Sequence, residues 1–548
     1  MTGPAVAPAP AVTGTPAAPP TTARWAGFRL SWRLIRRGVV LMCLAVAGYL
    51  AVELVSFRIA YPDQASRQRL LSLSGSTAVR MLEGVPAGSS AAGLAAWDGG
   101  WLLTLILAAW ALLSAVRLTR GEEDAGRAEL VLCRPPTARR VLAGSLAALA
   151  AGLACLAGAV ALPFLLLGAP VAGTLLWAGG LWAFGTVPAA LGALAGQLLQ
   201  PRRRATALGL GVVAGLFLVR AVANSAPDRR WLRTATPFGW LDRLHAFAGD
   251  RWPWLAAPLA LALLLGAAAI GLRGRRDAGA AVWAAPDSRR SRPRLLGGAG
   301  AFGWRLGEST LLAWALALGV TSLVFGLMSG AVVGYLRTDA TYRRLLASMG
   351  VDVSVPVVGF LGYLAVFLAL PLAAFLGWRL GAARQEEATG RLDNLLARGV
   401  PRRRWLAVTA GQAVGAVTLL LAGCALALWS GVRLAGVPVG AGQVVEPVAG
   451  LLPLLVLCAG LATLAFGVVP RLTTALPITL AVLGYLLDTF GGMLRWPAGV
   501  LALSPFHHLA RLPAAPLTAT AALTMTGLGL AGAVAGIAAF GRRDLTGA

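Results

Sequence analysis

Two stretches of the sequence carry the same pattern, and this repetition decides the fold. Residues 120–140 read RGEEDAGRAELVLCRPPTARR, and residues 384–404 read RQEEATGRLDNLLARGVPRRR. They align without gaps at an offset of 264, so that paired glutamates, a Gly-Arg dipeptide, an acid and a basic run recur at one spacing. A repeat of this length indicates that the chain contains two copies of one unit.

Two further matches support the duplication. TPFGWLDRL at 236–244 resembles SPFHHLARL at 504–512 at an offset of 268. GRRDAG at 274–279 resembles GRRDLTG at 541–547 at an offset of 267. The three matches occur in the same order and at nearly constant offset, which predicts that the two copies run parallel.

The repeat also predicts the domain boundaries. The expected segments are a tail at 1–24, a first six-helix unit at 25–274, a cytoplasmic linker at 275–302 and a second six-helix unit at 303–548. The tail is rich in Ala, Pro and Thr, so we expect it to be disordered. It lacks a basic start followed by an apolar core, and it is therefore not expected to be a signal peptide.

Composition assigns the units to the membrane. The 548 residues are 57% hydrophobic and only 13% charged, whereas soluble domains carry about a quarter charged residues. Apolar runs of about 20 residues, each long enough to cross a bilayer, recur along the chain. The prediction is an all-α polytopic membrane protein with about 12 transmembrane helices in two tandem parallel six-helix repeats. The expected spans are 38–57, 97–116, 141–167, 173–198, 205–224, 252–272, 309–329, 355–378, 405–431, 446–468, 473–493 and 516–540.

The charge distribution predicts the orientation. A net charge of +26 would suggest nucleic acid in a soluble protein, but here the basic residues lie in short loops between apolar runs. With the N-terminus inside, about two thirds of the 48 basic residues, all of them Arg, lie on the cytoplasmic side. We therefore predict a multi-pass protein of the inner (plasma) membrane, with both termini cytoplasmic and no nucleic acid partner.

No residue cluster predicts a metal site or a disulfide. The five cysteines have no metal-type spacing, and His507-His508 has no Cys or carboxylate neighbour. Four cysteines lie in apolar runs and one lies in a basic loop, so paired disulfides are not expected; they are Cys43, Cys133, Cys155, Cys424 and Cys458.

The duplicated loop has two interpretations. Its acids come early and its arginines late, which suits a short helix and its dipole. As a cytoplasmic helix it would offer fixed charges to a cytosolic partner that presents its own surface twice. The alternative is a juxtamembrane loop that only fixes the topology, although the positive-inside rule requires no carboxylates at fixed spacing.

The pattern E-E-x-x-G-R-x-E/D-x-x-L between the second and third spans resembles the ABC-2 type permease domain. The double-length form resembles the actinobacterial exporters of polyketide antibiotics, the tetronasin-transport type. The resemblance implies that the loop is a coupling helix that contacts an ATPase subunit. It assigns this role to Glu122, Glu123, Gly126, Arg127 and Glu129, and to Glu386, Glu387, Gly390, Arg391 and Asp393. The second copy has Asp393 in place of Glu and lacks the Pro-Pro, so the two docking sites need not be equivalent.

The energy source must lie on another chain. A P-loop needs a Lys to reach the phosphates, and this sequence contains no Lys. We therefore expect no enzyme activity and no cofactor on this chain. ATP and Mg²⁺ are expected on a separate cytosolic ABC ATPase, in two copies per permease. The apolar spans suit a hydrophobic or amphiphilic substrate, such as an antibiotic, a drug or a lipid, although the complex could also transmit a signal.

The segment FRLSWRLIRR at 28–37 is amphipathic. Its arginines share one helical face, and Trp32 lies on another. This pattern predicts a helix in the inner membrane interface, where Trp and Arg contact lipid. The alternative is an extension of the first span. The charged residues are Arg29, Arg33, Arg36 and Arg37.

Two charges lie inside predicted spans. Arg220 and Asp488 differ by 268, the local repeat offset, so they occupy equivalent positions in the two copies. Charges in spans usually face the protein interior or water. Pairing across the pseudo-twofold axis is one prediction, and contact with water at the outer mouth is the other.

Two other function classes remain open. A secondary transporter with two six-helix halves would need carboxylates in its spans, such as Asp488, with Glu53 near a span end. A membrane-embedded glycosyltransferase would need catalytic acids, for which Glu53 and Asp63 are available. Neither class explains the duplicated loop.

Overall fold

The structure is a computed structural model, and it describes residues 25–71, 77–132, 137–277, 279–283, 298–338, 356–493, 496–509 and 519–545. The chain divides into two compact units, Met1–Asp287 and Ser288–Ala548. The predicted boundaries at 274 and 303 remain predictions. Cys133 and most of the predicted tail and linker lie outside the described residues.

The described residues of the first unit form eleven helices. In chain order they are α1 (Ala26–Ala60), α2 (Gln64–Leu71), α3 (Thr77–Leu82), α4 (Ala91–Asp98), α5 (Gly100–Asp124), α6 (Arg127–Leu132), α7 (Ala138–Leu166), α8 (Val171–Leu198), α9 (Arg202–Ser225), α10 (Pro237–Asp242) and α11 (Ala256–Arg273). Helix α5 changes to a π-helical turn at Arg117–Gly121 before its last residues. Two 3₁₀ segments, Pro227–Ala235 and Trp252–Leu255, connect α9, α10 and α11.

The second unit has ten helices among the described residues. They are α12 (Ala299–Thr338), α13 (Pro356–Ala388), α14 (Arg391–Leu396), α15 (Arg402–Leu434), α16 (Ala441–Ala449), α17 (Leu452–Val468), α18 (Ala475–Met493), α19 (Ala498–Leu501), α20 (Pro505–His508) and α21 (Ala519–Arg542). A 3₁₀ turn, Pro470–Leu472, joins α17 to α18. The described residues of the whole chain form helices and turns, with one parallel backbone bridge between Leu199 and Trp283.

The prediction of a polytopic α-helical membrane protein is confirmed. In the described residues, 11 helices are long and apolar enough to cross a membrane. The remaining predicted span, 473–493, corresponds to α18, whose apolar part is the shorter segment Ala475–Thr489. This run contains Pro477 and Gly484, residues that weaken a helix interior.

The spans pack in the same pairs within each unit. In the first unit α1 packs along α7, and α8 contacts α5 and α11. In the second unit α12 packs along α15, and α17 contacts α13 and α21. Counted as spans, both units therefore pair the first with the third, the second with the fourth, and the fourth with the sixth.

Helices α17 and α21 approach each other through glycines. A Cβ added to Gly467 or Gly536 would lie within 2.3 Å of a backbone oxygen of the facing helix. Small residues permit this approach because van der Waals contact between backbones is a main attraction between helices in lipid. The contact fixes the end of α21, which carries Arg542 and leads to Arg543.

The amphipathic segment is not a separate interfacial helix. Residues 28–37 belong to α1, which runs without a break over 35 residues, as the alternative of an extended first span expects. The position of the segment in the membrane interface stays a prediction. The segment remains amphipathic, because Ile35 is buried while its arginines are exposed. Its exposed arginines are Arg29, Arg33, Arg36 and Arg37, and Trp32 is half-buried beside Phe28.

Candidate functional site

The two repeated loops adopt the same turn. Gly126 has φ +70° and Gly390 has φ +68°, the left-handed region that glycine enters without steric cost. The N–H of Gly126 donates to the carbonyl of Glu123 at 2.9 Å, and that of Gly390 donates to the carbonyl of Glu387 at 3.0 Å. The glycine of each Gly-Arg dipeptide thus ends one helix and lets the next begin at the arginine.

The first glutamate of each pair lies at the surface. Glu122 accepts two hydrogen bonds from the guanidinium of Arg127, at 2.7 and 2.8 Å. Glu386 lies 3.6 Å from Arg391, the equivalent residue of the second loop. Both arginine side chains are well exposed, at 60% and 59%. Each turn therefore carries an ion pair between a glutamate and an arginine on its outer side.

The second glutamate of each pair is buried. The side chain of Glu123 is 3% exposed and bonds Arg276 at 2.8 Å, while Glu387 is 4% exposed and bonds Arg543 at 2.7 Å. Arg276 and Arg543 are the second arginines of the two GRRD motifs, which follow the last helix of each unit. In both units, therefore, a buried salt bridge connects the loop after the second span to the end of the sixth span.

In the first unit this connection is part of a cluster of charged side chains. Glu123 also bonds Arg120 at 2.8 Å and pairs with Arg273. Arg120 is almost fully buried and donates to the carbonyls of Gly279 and Ala280 at 2.9 and 2.8 Å. The first residues of the predicted linker are therefore part of the first unit.

Two polar side chains complete the cluster. Gln197 Oε1 accepts from Arg276 at 2.7 and 3.0 Å. Asp124 pairs with Arg120 at 3.0 Å and accepts from the backbone N–H of Arg202 at 2.6 Å. The loop therefore contacts the ends of α8, α9 and α11.

In the second unit aromatic rings replace most of the ions. The repeat aligns Phe540 with Arg273, and Phe540 packs against Phe466 and Trp405 at centroid distances of 5.1 and 5.8 Å. Arg384, the equivalent of Arg120, is exposed. The guanidinium of Arg543 lies over Phe540 at 5.6 Å. The buried contacts behind the two loops therefore differ, while the non-equivalence of the two docking sites stays a prediction.

The short helices after the turns complete the outer surface of the loops. Glu129 on α6 and Asp393 on α14 are both exposed. Leu130 is 78% exposed, although it is apolar, while Leu392 of the second loop is buried in the aromatic cluster. Single exposed leucines are common at protein surfaces, so Leu130 marks a difference between the two loops and does not by itself indicate an interface.

The two intramembrane charges have partners in their own units. Arg220 forms two hydrogen bonds to Asp242, at 2.8 and 2.9 Å, and donates to the carbonyls of Leu82 and Glu83. Asp488 Oδ1 lies 3.7 Å from His507 Nδ1. Pairing of Arg220 with Asp488 across the two units stays a prediction.

The Pro-Phe motifs form equivalent short helices. Thr236 caps α10 by accepting from Gly239, and Ser504 caps α20 by accepting from Phe506. In both helices Pro occupies the first turn, where its missing N–H costs nothing. Both phenylalanines are buried, so packing inside the unit accounts for Phe238 and Phe506 better than anchoring at the membrane surface.

The first unit contains a carboxyl pair that the sequence pattern does not predict. Glu53 of α1 is hydrogen-bonded to Asp98 of α4, and Glu83 lies close to both. Acidic residues are rare in this sequence, with only 22 in the whole chain, and this rarity is the one sequence feature that could have drawn attention to these carboxyls. Asp63, the other acid considered for catalysis, accepts from the N–H of Ser66 at 2.7 Å, as helix-capping residues do.

The comparisons with known proteins cover nearly the whole chain. Residues 296–541 match the family described as multidrug efflux system permease Rv1217c, C-terminal domain. The chain is 30% identical over 525 residues to the multidrug efflux system permease protein Rv1217c of Mycobacterium tuberculosis. That alignment covers 94% of each protein.

Proposed function

Because the chain belongs to the family of this multidrug efflux system permease, a multi-pass family of the inner membrane, we propose that it is the permease subunit of an ATP-binding-cassette exporter. Its substrates are hydrophobic or amphiphilic compounds. Two copies of a cytosolic ATPase bind ATP and Mg²⁺ and supply the energy. The permease has no Lys with which to build a P-loop of its own.

The observation that carries this proposal is the shared construction of the two loops. Each loop has an exposed acid–base pair, Glu122 with Arg127 or Glu386 with Arg391, and a buried glutamate that holds the last helix of the unit. A surface that only sets topology needs no buried connection. A coupling element needs both parts, because it must contact a partner and pass the displacement on.

The geometry supports a specific route for this displacement. Docking of the ATPase on α6 or α14 moves the loop, and the loop is tied to residues that follow α11 or α21 through Glu123 or Glu387. Buried, hydrogen-bonded ion pairs resist separation because each charge would lose its partner in a poorly solvated place. The sixth span of each unit is therefore displaced together with its loop.

We predict that reversing the exposed arginines prevents docking. In the double variant Arg127→Glu/Arg391→Glu, each turn acquires like charges beside Glu122 or Glu386. Charge reversal within an interface costs several kcal/mol per site. The variant should therefore retain less than about a tenth of the ATPase in co-purification, since about 1.4 kcal/mol is a tenfold change.

The experiment uses the permease with the ABC ATPase expected to be encoded beside it. Bound ATPase and ATP hydrolysis are measured together with the melting temperature, which should remain unchanged. Arg229→Glu is the matched control, because Arg229 is exposed in the loop predicted to lie outside the cell. Undiminished ATPase binding in the double variant would show that the loops are not the docking site.

One observation favours a second candidate, a proton-driven secondary transporter. The side chains of Glu53 and Asp98 contact each other in the first unit. Buried carboxyls near membrane spans are typical of proton relays. This candidate gives no role to the duplicated loops, and it predicts transport in a pH gradient without ATP.

A further inference from the structure

A cavity of about 100 Å³ lies within the first unit, between the short helices and the ends of the spans. Four aromatic side chains line it, together with the side chains of Glu83 and Arg220. The aromatic residues are Trp97, Trp101, Trp177 and Phe238. They come from α4, α5, α8 and α10, so the cavity exists only when these four helices are packed together.

Several of the rings are fixed by other contacts. Trp97 Nε1 donates to the carbonyl of Gly84 at 3.2 Å. Trp177 packs on Phe164 at 5.1 Å, and Phe238 packs on Phe184 at 4.8 Å. Rings that are already held in place lose little conformational entropy when a ligand binds. The cavity is therefore pre-organised.

Among the charged side chains that line the cavity, one carboxyl is available to pair with a ligand. Arg220, the cation that lines the cavity, is neutralised by its two hydrogen bonds to Asp242. His245 also lines the cavity, but desolvation and the nearby Arg251 lower its pKa, so the imidazole is neutral near pH 7. The carboxyl of Glu83 remains as the group without a compensating charge of its own.

The environment of Glu83 favours uptake of a positive charge. Desolvation and the neighbouring Asp98 raise the pKa of Glu83 well above its usual range, although Arg220 opposes this shift. A carboxyl in such surroundings becomes neutral by taking a proton, or it remains ionised beside a cation. Aromatic faces around it attract a cation in the same way, through their negative quadrupole.

The size of the cavity limits what it can hold. Pockets for whole drug-sized ligands measure about 300–1,000 Å³, whereas this cavity measures about 100 Å³. It therefore has room for a head group but not for the body of a drug. The body would have to lie outside the cavity, against the apolar helices or the lipid.

We propose that this cavity binds the ammonium head group of an amphiphilic organic cation, with Glu83 as the counter-ion and the tryptophan rings as the cage. The proposal rests on the proposed export function and names a substrate class for it. The ion pair beside the site has no counterpart in the second copy, because the repeat aligns Arg220 with Asp488 and Asp242 with Ala510.

The test measures binding of benzyltrimethylammonium to the full chain in lipid nanodiscs by equilibrium dialysis. Neopentylbenzene, which has the same shape without the charge, is the matched probe. Wild-type protein should bind the cation at least tenfold more tightly than neopentylbenzene. Glu83→Gln and Trp101→Leu should each weaken cation binding at least tenfold, and Glu83→Gln should leave binding of neopentylbenzene unchanged.

Asp228→Asn is the control variant, because Asp228 is an exposed acid in an adjacent loop of the same unit. It should bind the cation like wild type. Equal affinity of the wild type for both probes, or unchanged cation binding in both cavity variants, would overturn the proposal. Co-purification of the ATPase is measured on the same preparations. If the wild-type protein binds the cation as expected but no ATPase co-purifies with it, the result counts against the export function and not against the cavity.

Discussion

Replacing Glu123 by Ala is expected to lower the free energy of unfolding by about 3–5 kcal/mol, the cost of breaking a buried ion pair by removing one partner. The reason is the cluster around Glu123, where Arg120, Arg273 and Arg276 all approach one carboxylate. Without it, three buried guanidinium groups repel one another. The purified protein should melt at a clearly lower temperature and unfold at a lower SDS fraction.

Neighbouring residues supply matched controls for this prediction. Glu122→Ala removes an exposed ion pair, which is worth about 0–1 kcal/mol. Glu387→Ala removes the partner of Arg543, whose guanidinium still lies over Phe540, so its cost should fall between the two. Equal melting temperatures for Glu122→Ala and Glu123→Ala would contradict the conclusion that Glu123 forms the buried salt bridges between the loop and the end of the sixth span.

Replacing Arg220 by Met should also cost about 3–5 kcal/mol, because Asp242 is left as a half-buried carboxylate without its partner. The carbonyls of Leu82 and Glu83 lose their donors as well. The double variant Arg220→Met/Asp242→Leu removes both charges and should be more stable than Arg220→Met. Melting temperatures of the two single variants and the double variant measure this coupling.

The same series tests the pairing predicted between Arg220 and Asp488. If Arg220 depends on Asp242 alone, Asp488→Asn should change the melting temperature much less than Arg220→Met. A loss as large as that of Arg220→Met, together with coupling between the two substitutions, would instead support pairing across the two units. Asp242→Asn provides the reference for a partner that is in direct contact.

The sequence was sufficient for features that depend on local pattern. Hydropathy located the spans, because a helix that crosses lipid must be apolar along its whole length. The repeat placed Gly126 and Gly390 at equivalent positions, and both form the same left-handed turn. The amphipathic segment of α1 left two alternatives open, because an amphipathic pattern does not show whether the helix continues beyond it, as α1 does.

The features that could not be predicted from the sequence depend on contacts between residues that are far apart in the chain. Glu122 and Glu123 are adjacent and of the same type, yet one is at the surface and the other is buried. Only the contact of the loop with residues beyond α11, about 150 positions later, separates their roles. The partner of Arg220 was likewise hidden, because Asp242 lies in a loop helix and not at the equivalent position of the other copy.

The most direct test of the central claim is transport by the permease and its ATPase in inside-out proteoliposomes, with rhodamine 6G as a fluorescent amphiphilic cation. If the chain is an ABC permease, uptake should require ATP and Mg²⁺, persist without a pH gradient and be lost in Arg127→Glu/Arg391→Glu. Uptake driven by a pH gradient alone, with no ATPase present, would contradict the account and identify the chain as a secondary transporter.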